Sequence, residues 1–312
     1  MPVVQWFVLV PLFLAHETTQ KALSLHRCKG LTLTTIRLDN MEHKKIAFVG
    51  AGNMTRSIIA GLVASGYPAS LITATNPSQP KLDFLSDQYG INTQSDNLSA
   101  VKEADVVVMA VKPQLMEVVS SELRDVDYSE KLVISIAAGI SAARLNEMFD
   151  TELSLVRVMP NTPSLLGQGM SGLYAASDVK QQDKQFSAEL MSAVGKVCWV
   201  EQESGINNII AAAGSAPAYF FLFMEAMQAE AVAQGFDEST ARMLVQQSAL
   251  GAAEMVVANP DTQLSTLREQ VTSKGGTTAE ALRTFNEHQL SDIVAKAMQA
   301  AVARAQEMEK EF

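Results

Sequence analysis

The stretch that decides the fold is Lys45-Ile46-Ala47-Phe48-Val49-Gly50-Ala51-Gly52-Asn53-Met54-Thr55. A short apolar run closed by glycine reads as a buried strand of a parallel sheet. Helical patterning follows over residues 53–65. A strand, a Gly-x-Gly turn and a helix together form a cradle for a pyrophosphate. Gly50 permits the tight turn, Gly52 lets the backbone approach the ligand, and the helix N-terminus faces the anion. The third position of this pattern is usually Gly or Ala, for close helix–strand packing. Here it is Thr55, which leaves the motif incomplete. Gly50, Ala51, Gly52, Asn53 and Met54 are the expected dinucleotide contacts, against the alternative of a plain tight turn.

The pattern repeats outward. Residues 70–75 read as a second strand, with Pro77 and Pro80 marking the turn after it and a helix over 81–88. Asp105-Val-Val-Val-Met-Ala-Val111 is a buried strand, and residues 132–136 and 155–158 are two more. Alternating strands and helices indicate a doubly wound parallel sheet. After Trp199 the strand signal fades and helical periodicity takes over. Residues 209–224 are uncharged, but Asn207, Asn208, Glu225 and Glu230 flank them and Gly214 and Pro217 interrupt them. A core or oligomer-interface helix is expected there rather than a membrane span.

The chain has 312 residues, of which 47% are hydrophobic and 19% charged, enough apolar material for two cored domains. Twenty-four basic residues against 34 acidic ones give a net charge of −10, which argues against a general nucleic-acid or anionic-membrane surface. Two cysteines, Cys28 and Cys198, cannot build a disulfide framework, and four histidines not clustered with them predict no metal site. A reducing, cytoplasmic setting is expected. Residues 2–15 are apolar and uncharged but shorter than the roughly 20 residues that span a bilayer, and no basic segment precedes them. Residues 1–40 therefore read as an unstructured extension or as sequence upstream of a start at Met41, with a weak targeting or anchoring segment as the alternative. They carry four basic and two acidic residues, so the remainder carries −12.

The end of the second strand bears on cofactor choice. An Asp or Glu there would accept hydrogen bonds from an NAD ribose. The residues present are Thr75, Asn76, Pro77 and Ser78, with Lys81 following. No carboxylate repels a 2′-phosphate, so NADPH is expected, with NADH possible; a simple turn is the alternative reading of Asn76 and Ser78. Three further strand exits face the same crevice. Ala110, Val111, Lys112 and Pro113 close one. Ala137, Ala138 and Gly139 close the next with small residues that admit a flat ring, and residues 159–163 form a rigid turn.

The most specific segments come in order along the chain: GAGNM at 50–54, AVKP at 110–113, SIAAG at 135–139, MPNTP at 159–163, AGSAPAY at 213–219 and LREQVTSKGGTTAEAL at 267–282. Together they strongly resemble the pyrroline-5-carboxylate reductase family from Met41 to about Lys310. Thr55, Ala216 and Lys274 depart from the pattern without removing a group that the chemistry needs. The resemblance implies an N-terminal doubly wound (Rossmann) domain over 41–203 and an all-helical substrate and dimerisation domain over 204–312. It also implies reduction of the cyclic imine L-1-pyrroline-5-carboxylate to L-proline by NAD(P)H, in a homodimer assembled into a larger ring. By the same resemblance Gly275, Gly276, Thr277 and Thr278 hold the substrate, and Asn97 contacts the cofactor; unaided, Asn97 reads as a helix cap.

Reduction of a C=N bond needs a hydride donor, an anchor for the substrate carboxylate and a proton for nitrogen. Residues 273–278 open a helix, whose free N–H groups and hydroxyls suit a small carboxylate. Thr278 and Ser273 are the catalytic candidates, and the resemblance implies that Thr278 hydrogen-bonds the ring nitrogen; taken without it, an ordinary N-cap is the alternative for Thr278. An iminium is already electrophilic, so no strong general acid is required. Cys198 reads as core. Glu201 and Glu203 lie at the domain junction, where either approaches the substrate or sits in a solvated loop. Two other functions compete. A related imine or hydroxyacid reductase would share the scaffold, but the hydroxyacid enzymes need a lysine that 207–210 lacks. A redox-sensing dinucleotide binder would not need the intact turn at 275–278.

Overall fold

The computed structural model describes residues 42–312 and, before them, the backbone of residues 27–28 and 31–34. Among the described residues, ten strands form one sheet: β1 (Arg27–Cys28), β2 (Leu31–Thr34), β3 (Ile46–Val49), β4 (Ile72–Thr75), β5 (Asn92–Gln94), β6 (Val106–Met109), β7 (Leu132–Ser135), β8 (Ser154–Met159), β9 (Gly169–Ala175) and β10 (Gly195–Val200). Their spatial order is β1-β2-β10-β9-β8-β7-β6-β3-β4-β5. The strands from β5 through β8 pair in parallel, whereas β9 runs antiparallel to β8. β10 is parallel to β9, and β2 is antiparallel to both β10 and β1, so the sheet is parallel-dominated with antiparallel pairings that the apolar pattern did not announce.

Side-chain alternation explains why both faces are covered. Phe48, Val108, Ile134 and Val156 point to one face, where they meet α1 (Asn53–Ala64), α2 (Gln79–Tyr89) and α6 (Gln181–Ser192). Ala47, Val107, Val133 and Leu155 point to the other, against α3 (Asn97–Glu103), α4 (Pro113–Ser121) and α5 (Ala142–Phe149). The chain leaves β3 toward β4 on one side and returns to β6 on the other. That reversal opens a crevice at the carboxyl ends of β3 and β6, the usual ligand position in such sheets.

Residues 1–40 were expected to lack structure, yet β1 and β2 pair along the outer edge of β10, with Leu33 opposite Cys198. An open strand edge offers unpaired N–H and C=O groups that an adjacent extended segment satisfies. The rest of that segment, and the reading of Met41 as a start, lie outside the described residues.

Beyond β10 the chain is helical: α7 (Gly205–Ile209), α8 (Ala216–Ala233), α9 (Glu238–Ala258), α10 (Leu264–Gln270), α11 (Thr277–Glu287) and α12 (Leu290–Glu311). Between α7 and α8, residues Ile210–Gly214 form one π-helical turn. The continuous run Gly205–Ala233 is long and apolar enough to cross a membrane by length and composition. It is not a core helix within one chain. Phe220 and Leu222 are both 67% exposed, and none of the residues of α8 is fully buried.

The last helix returns to the nucleotide-domain sheet. Arg157 on β8 is 2% exposed and pairs with both Glu203 and Glu309. Glu309 also accepts a hydrogen bond from Asn207 Nδ2 at 3.1 Å, and Arg144 Nε donates to the Phe312 carbonyl at 2.7 Å. A buried arginine is tolerable only when its charge is matched, so this cluster ties the two halves together.

Candidate active site

The Gly-x-Gly turn is built as its chemistry requires. Gly50 has φ +109°, and a Cβ there would lie 2.7 Å from the Ala110 carbonyl oxygen. The turn is therefore pressed against the exit of β6, and a positive φ is one that side chains disfavour. Gly52 caps α1, and among the described residues none but its two chain neighbours comes within 4 Å of the position a Cβ would take, which leaves room for a ligand. No side chain bonds the cap and no acidic residue occupies the first turn of α1. Its free N–H groups and positive dipole end fit a pyrophosphate.

Thr55 is fully buried, and its hydroxyl donates to the Gly50 carbonyl at 2.7 Å. The threonine thus closes the turn through its own hydrogen bond, with no need for glycine at that position. Ala51 N–H donates to Asn76 Oδ1 at 3.3 Å, so Asn76 braces the phosphate turn from the end of β4. Thr75 Oγ1 donates to Asn97 Oδ1 at 2.6 Å. Asn97 is not a cap: Asp96 caps α3, accepting from Leu98 N–H and Ser99 N–H. The short Asp side chain one residue earlier has the geometry that reaches those donors.

The other crevice residues are placed less uniformly. β6 ends at Met109, so Ala110 and Val111 lie just beyond it, Lys112 caps α4 and Pro113 begins that helix. Ser78 caps α2 with a hydroxyl that makes no capping bond. Ala137 and Ala138 are half-buried at the exit of β7. Gly139 differs from expectation: it is buried with φ +73°, and a Cβ there would lie 2.7 Å from Met308 Cβ. Its small size serves the packing of α12. Glu203 also differs, since it accepts from Ala142 N–H at 2.6 Å and pairs with Arg157. It holds the domain junction. Burial pushes the Cys198 thiol up to about 11, so it carries no nucleophilic thiolate at neutral pH.

The predicted substrate turn is the N-terminus of α11. Gly275 has φ +72°, and Gly276 N–H donates to the Ser273 carbonyl at 3.0 Å. Gly276 is the cap and has no side chain to satisfy the following N–H groups, so Thr278 is not an N-cap. Ser273, Gly275, Thr277 and Thr278 are exposed, and among the described residues none of those three hydroxyls makes a hydrogen bond. The donors are assembled and uncommitted, but one chain does not enclose them. What was missed at the sequence level was the Arg157–Glu203–Glu309 cluster, whose members lie far apart along the chain.

Comparison with known proteins matches both halves. Residues 203–308 match the family model described as pyrroline-5-carboxylate reductase dimerisation, and residues 45–139 match the one described as NADP oxidoreductase, coenzyme F420-dependent. A pyrroline-5-carboxylate reductase of Vibrio alginolyticus is 73% identical over 272 residues, which is 87% of this chain and all of that protein. The solved pyrroline-5-carboxylate reductase of Coxiella burnetii is 42% identical with a TM-score of 0.81, covering 86% of this chain and 99% of its own. That of Plasmodium falciparum, solved with NADP bound, is 28% identical with a TM-score of 0.77, covering 86% of this chain and 100% of its own. With a Gly50–Gly52 anion cradle, a Gly275–Thr278 donor turn and relatives matched over their full length, this chain belongs to the pyrroline-5-carboxylate reductase family.

Proposed function

We propose that this chain reduces L-1-pyrroline-5-carboxylate to L-proline, the last step of proline biosynthesis, with NADPH as hydride donor. The observation that carries the reading is the coexistence, in one family member, of an unblocked phosphate cradle and an uncommitted substrate turn. We assign residues 41–203 to cofactor binding and 204–312 to substrate binding and dimerisation, with 1–40 as an extension.

Gly50, Ala51, Gly52, Asn53 and Met54 hold the pyrophosphate through backbone N–H groups at the start of α1. Asn76, Ser78 and Lys81 receive the 2′-phosphate. Asn76 Oδ1 is already engaged by Ala51, which leaves its amide N–H groups as donors. Ala110, Val111, Lys112, Pro113, Ala137 and Ala138 line the crevice. NADPH, when bound, supplies the hydride. The free N–H groups of α11 anchor the substrate carboxylate, and the Thr278 hydroxyl orients the ring nitrogen and relays its proton. Gly276 lets the carboxylate approach, and Ser273 and Thr277 complete the donor set.

That turn is exposed in a single chain and so is the apolar face of α8. Both are explained by a second copy that covers α8 and closes the substrate turn over a nucleotide domain. We extend the proposal to a larger ring of dimers and to a cytoplasmic location, which the cysteine usage supports.

An absorbance assay at the NADPH band tests the reading. Folded protein should oxidise NADPH only when the imine is added, and NADH more slowly. Thr278→Ala should lower kcat/KM by roughly 100-fold, the usual scale for losing one positioned donor, while NADPH affinity stays put. Absence of imine-dependent oxidation by the folded wild-type protein would remove the proposal. A shared site adds a second test. Mixed dimers of Gly50→Ala and Thr278→Ala should regain activity that neither variant has alone; no recovery would place both groups in one subunit.

A further inference from the structure

The junction between the two halves contains a backbone break that a side chain repairs. In a continuous α-helix the carbonyl of Ala213 would accept the N–H of residue 217. Residue 217 is proline and has no N–H to donate. The chain here is a π-helical turn, with Ser215 N–H donating to the Ile210 carbonyl at 2.8 Å, followed directly by the first turn of α8. The Ala213 carbonyl would be left without a partner, at a cost in a partly buried position.

Asn161 supplies the missing donor. Its Nδ2 donates to the Ala213 carbonyl at 3.0 Å, and its Oδ1 accepts from Met170 N–H at 2.9 Å. The side chain is 8% exposed, with both ends of its amide engaged. It reaches from the exit of β8, across the start of β9, to the entry of α8. Gly214 keeps that approach close, since a Cβ on it would lie 2.8 Å from Met159 Cε. We infer that Asn161 is a positioning residue: it replaces the N–H that Pro217 lacks and so fixes the start of α8 over the carboxyl ends of the strands. It acts through the π-turn and does not touch the reacting atoms. The inference rests on the reductase reading only for its kinetic consequence.

Two features make it testable. Asn161→Ala removes both bonds, whereas Asn161→Asp keeps the acceptor for Met170 and loses the donor for Ala213. Asn161→Asp should raise KM for the imine about tenfold, the scale of one lost buried hydrogen bond, and Asn161→Ala by at least as much. kcat should change less, and NADPH affinity measured by fluorescence titration should stay within about twofold. The decisive variant adds Pro217→Ala, which returns an N–H to residue 217. Asn161→Ala/Pro217→Ala should recover the part of the imine KM and of the melting temperature that the Ala213 carbonyl accounts for, while the Met170 N–H stays unpaired. Additive losses in the double variant would overturn the inference, as would an Asn161→Asp enzyme with wild-type KM. The melting-temperature cycle needs no substrate, so it still decides the hydrogen-bond exchange if the function were read wrongly.

Discussion

Gly50→Ala should weaken NADPH binding by on the order of 100-fold or more, the largest effect expected from a single added methyl group. Two costs combine. The backbone at Gly50 sits at φ +109°, where a residue with a Cβ is strained, by roughly 1–3 kcal/mol. The same Cβ would lie 2.7 Å from the Ala110 carbonyl oxygen, so the exit of β6 must move. That exit is also a wall of the crevice, and the shift reaches the ligand. With tenfold per 1.4 kcal/mol, strain and displacement together account for the expected loss. Gly52→Ala is the matched comparison. Among the described residues, none but its two chain neighbours comes within 4 Å of its Cβ position, so the fold should tolerate it while the pyrophosphate loses its close approach. Thermal melting and fluorescence titration of the pair separate the two causes. If Gly50→Ala melts and binds as the wild type does, the turn is not under the constraint described.

The second large effect concerns α8. Phe221→Glu combined with Leu222→Glu should convert a dimer to monomers and lower imine reduction by more than about 100-fold. Phe220, Phe221 and Leu222 are each more than 60% exposed in a single chain, and Phe223, Met227 and Val232 continue the apolar surface. A groove of about 920 Å³ between α8 and α9 is lined by Phe221, Met224, Val232 and Val245. Contiguous apolar surface of this kind is unfavourable in water and marks a protein interface. Two carboxylates buried against a second copy would be unpaired and costly. The nucleotide cradle lies on β3 and α1, away from α8, so NADPH affinity should survive. Light scattering reads the assembly, and fluorescence titration reads the cofactor. A variant that stays dimeric would show that another face holds the copies together.

Several elements were legible because their cause is local. β3 and β6 are four-residue apolar runs and β7 is three apolar residues and a serine, all buried, and such runs are visible without knowing their neighbours. β5, with the sequence Asn-Thr-Gln, is a polar strand at the sheet edge and carries no such signal. β9 begins at Gly169, which packs against Ser164 and Val194, and includes Gly172, where a Cβ would lie 2.6 Å from Ile209 of α7; these glycines hide the strand pattern. Its antiparallel course depends on where the chain turns after β8, which apolar periodicity does not encode.

The candidate site divides in the same way. The cradle at Gly50–Gly52 and the turn at Gly275–Gly276 were readable because glycine conformations and free helix N–H groups are set within a few residues. The sequence by itself determined the parallel centre of the sheet (β3, β4, β6, β7 and β8), the phosphate turn, the donor turn and the apolar character of α8. Only the tertiary structure decided that Thr55 closes the turn with its own hydroxyl, that Gly139 makes room for Met308, that Glu203 belongs to Arg157 and that Asn161 completes the entry to α8. Thr55 bonds a carbonyl only five residues back, in a geometry that the turn sets; the others rest on a partner brought close by folding: a backbone carbonyl on another element, a methionine 169 residues further along the chain, or a charge that must be matched once water is removed.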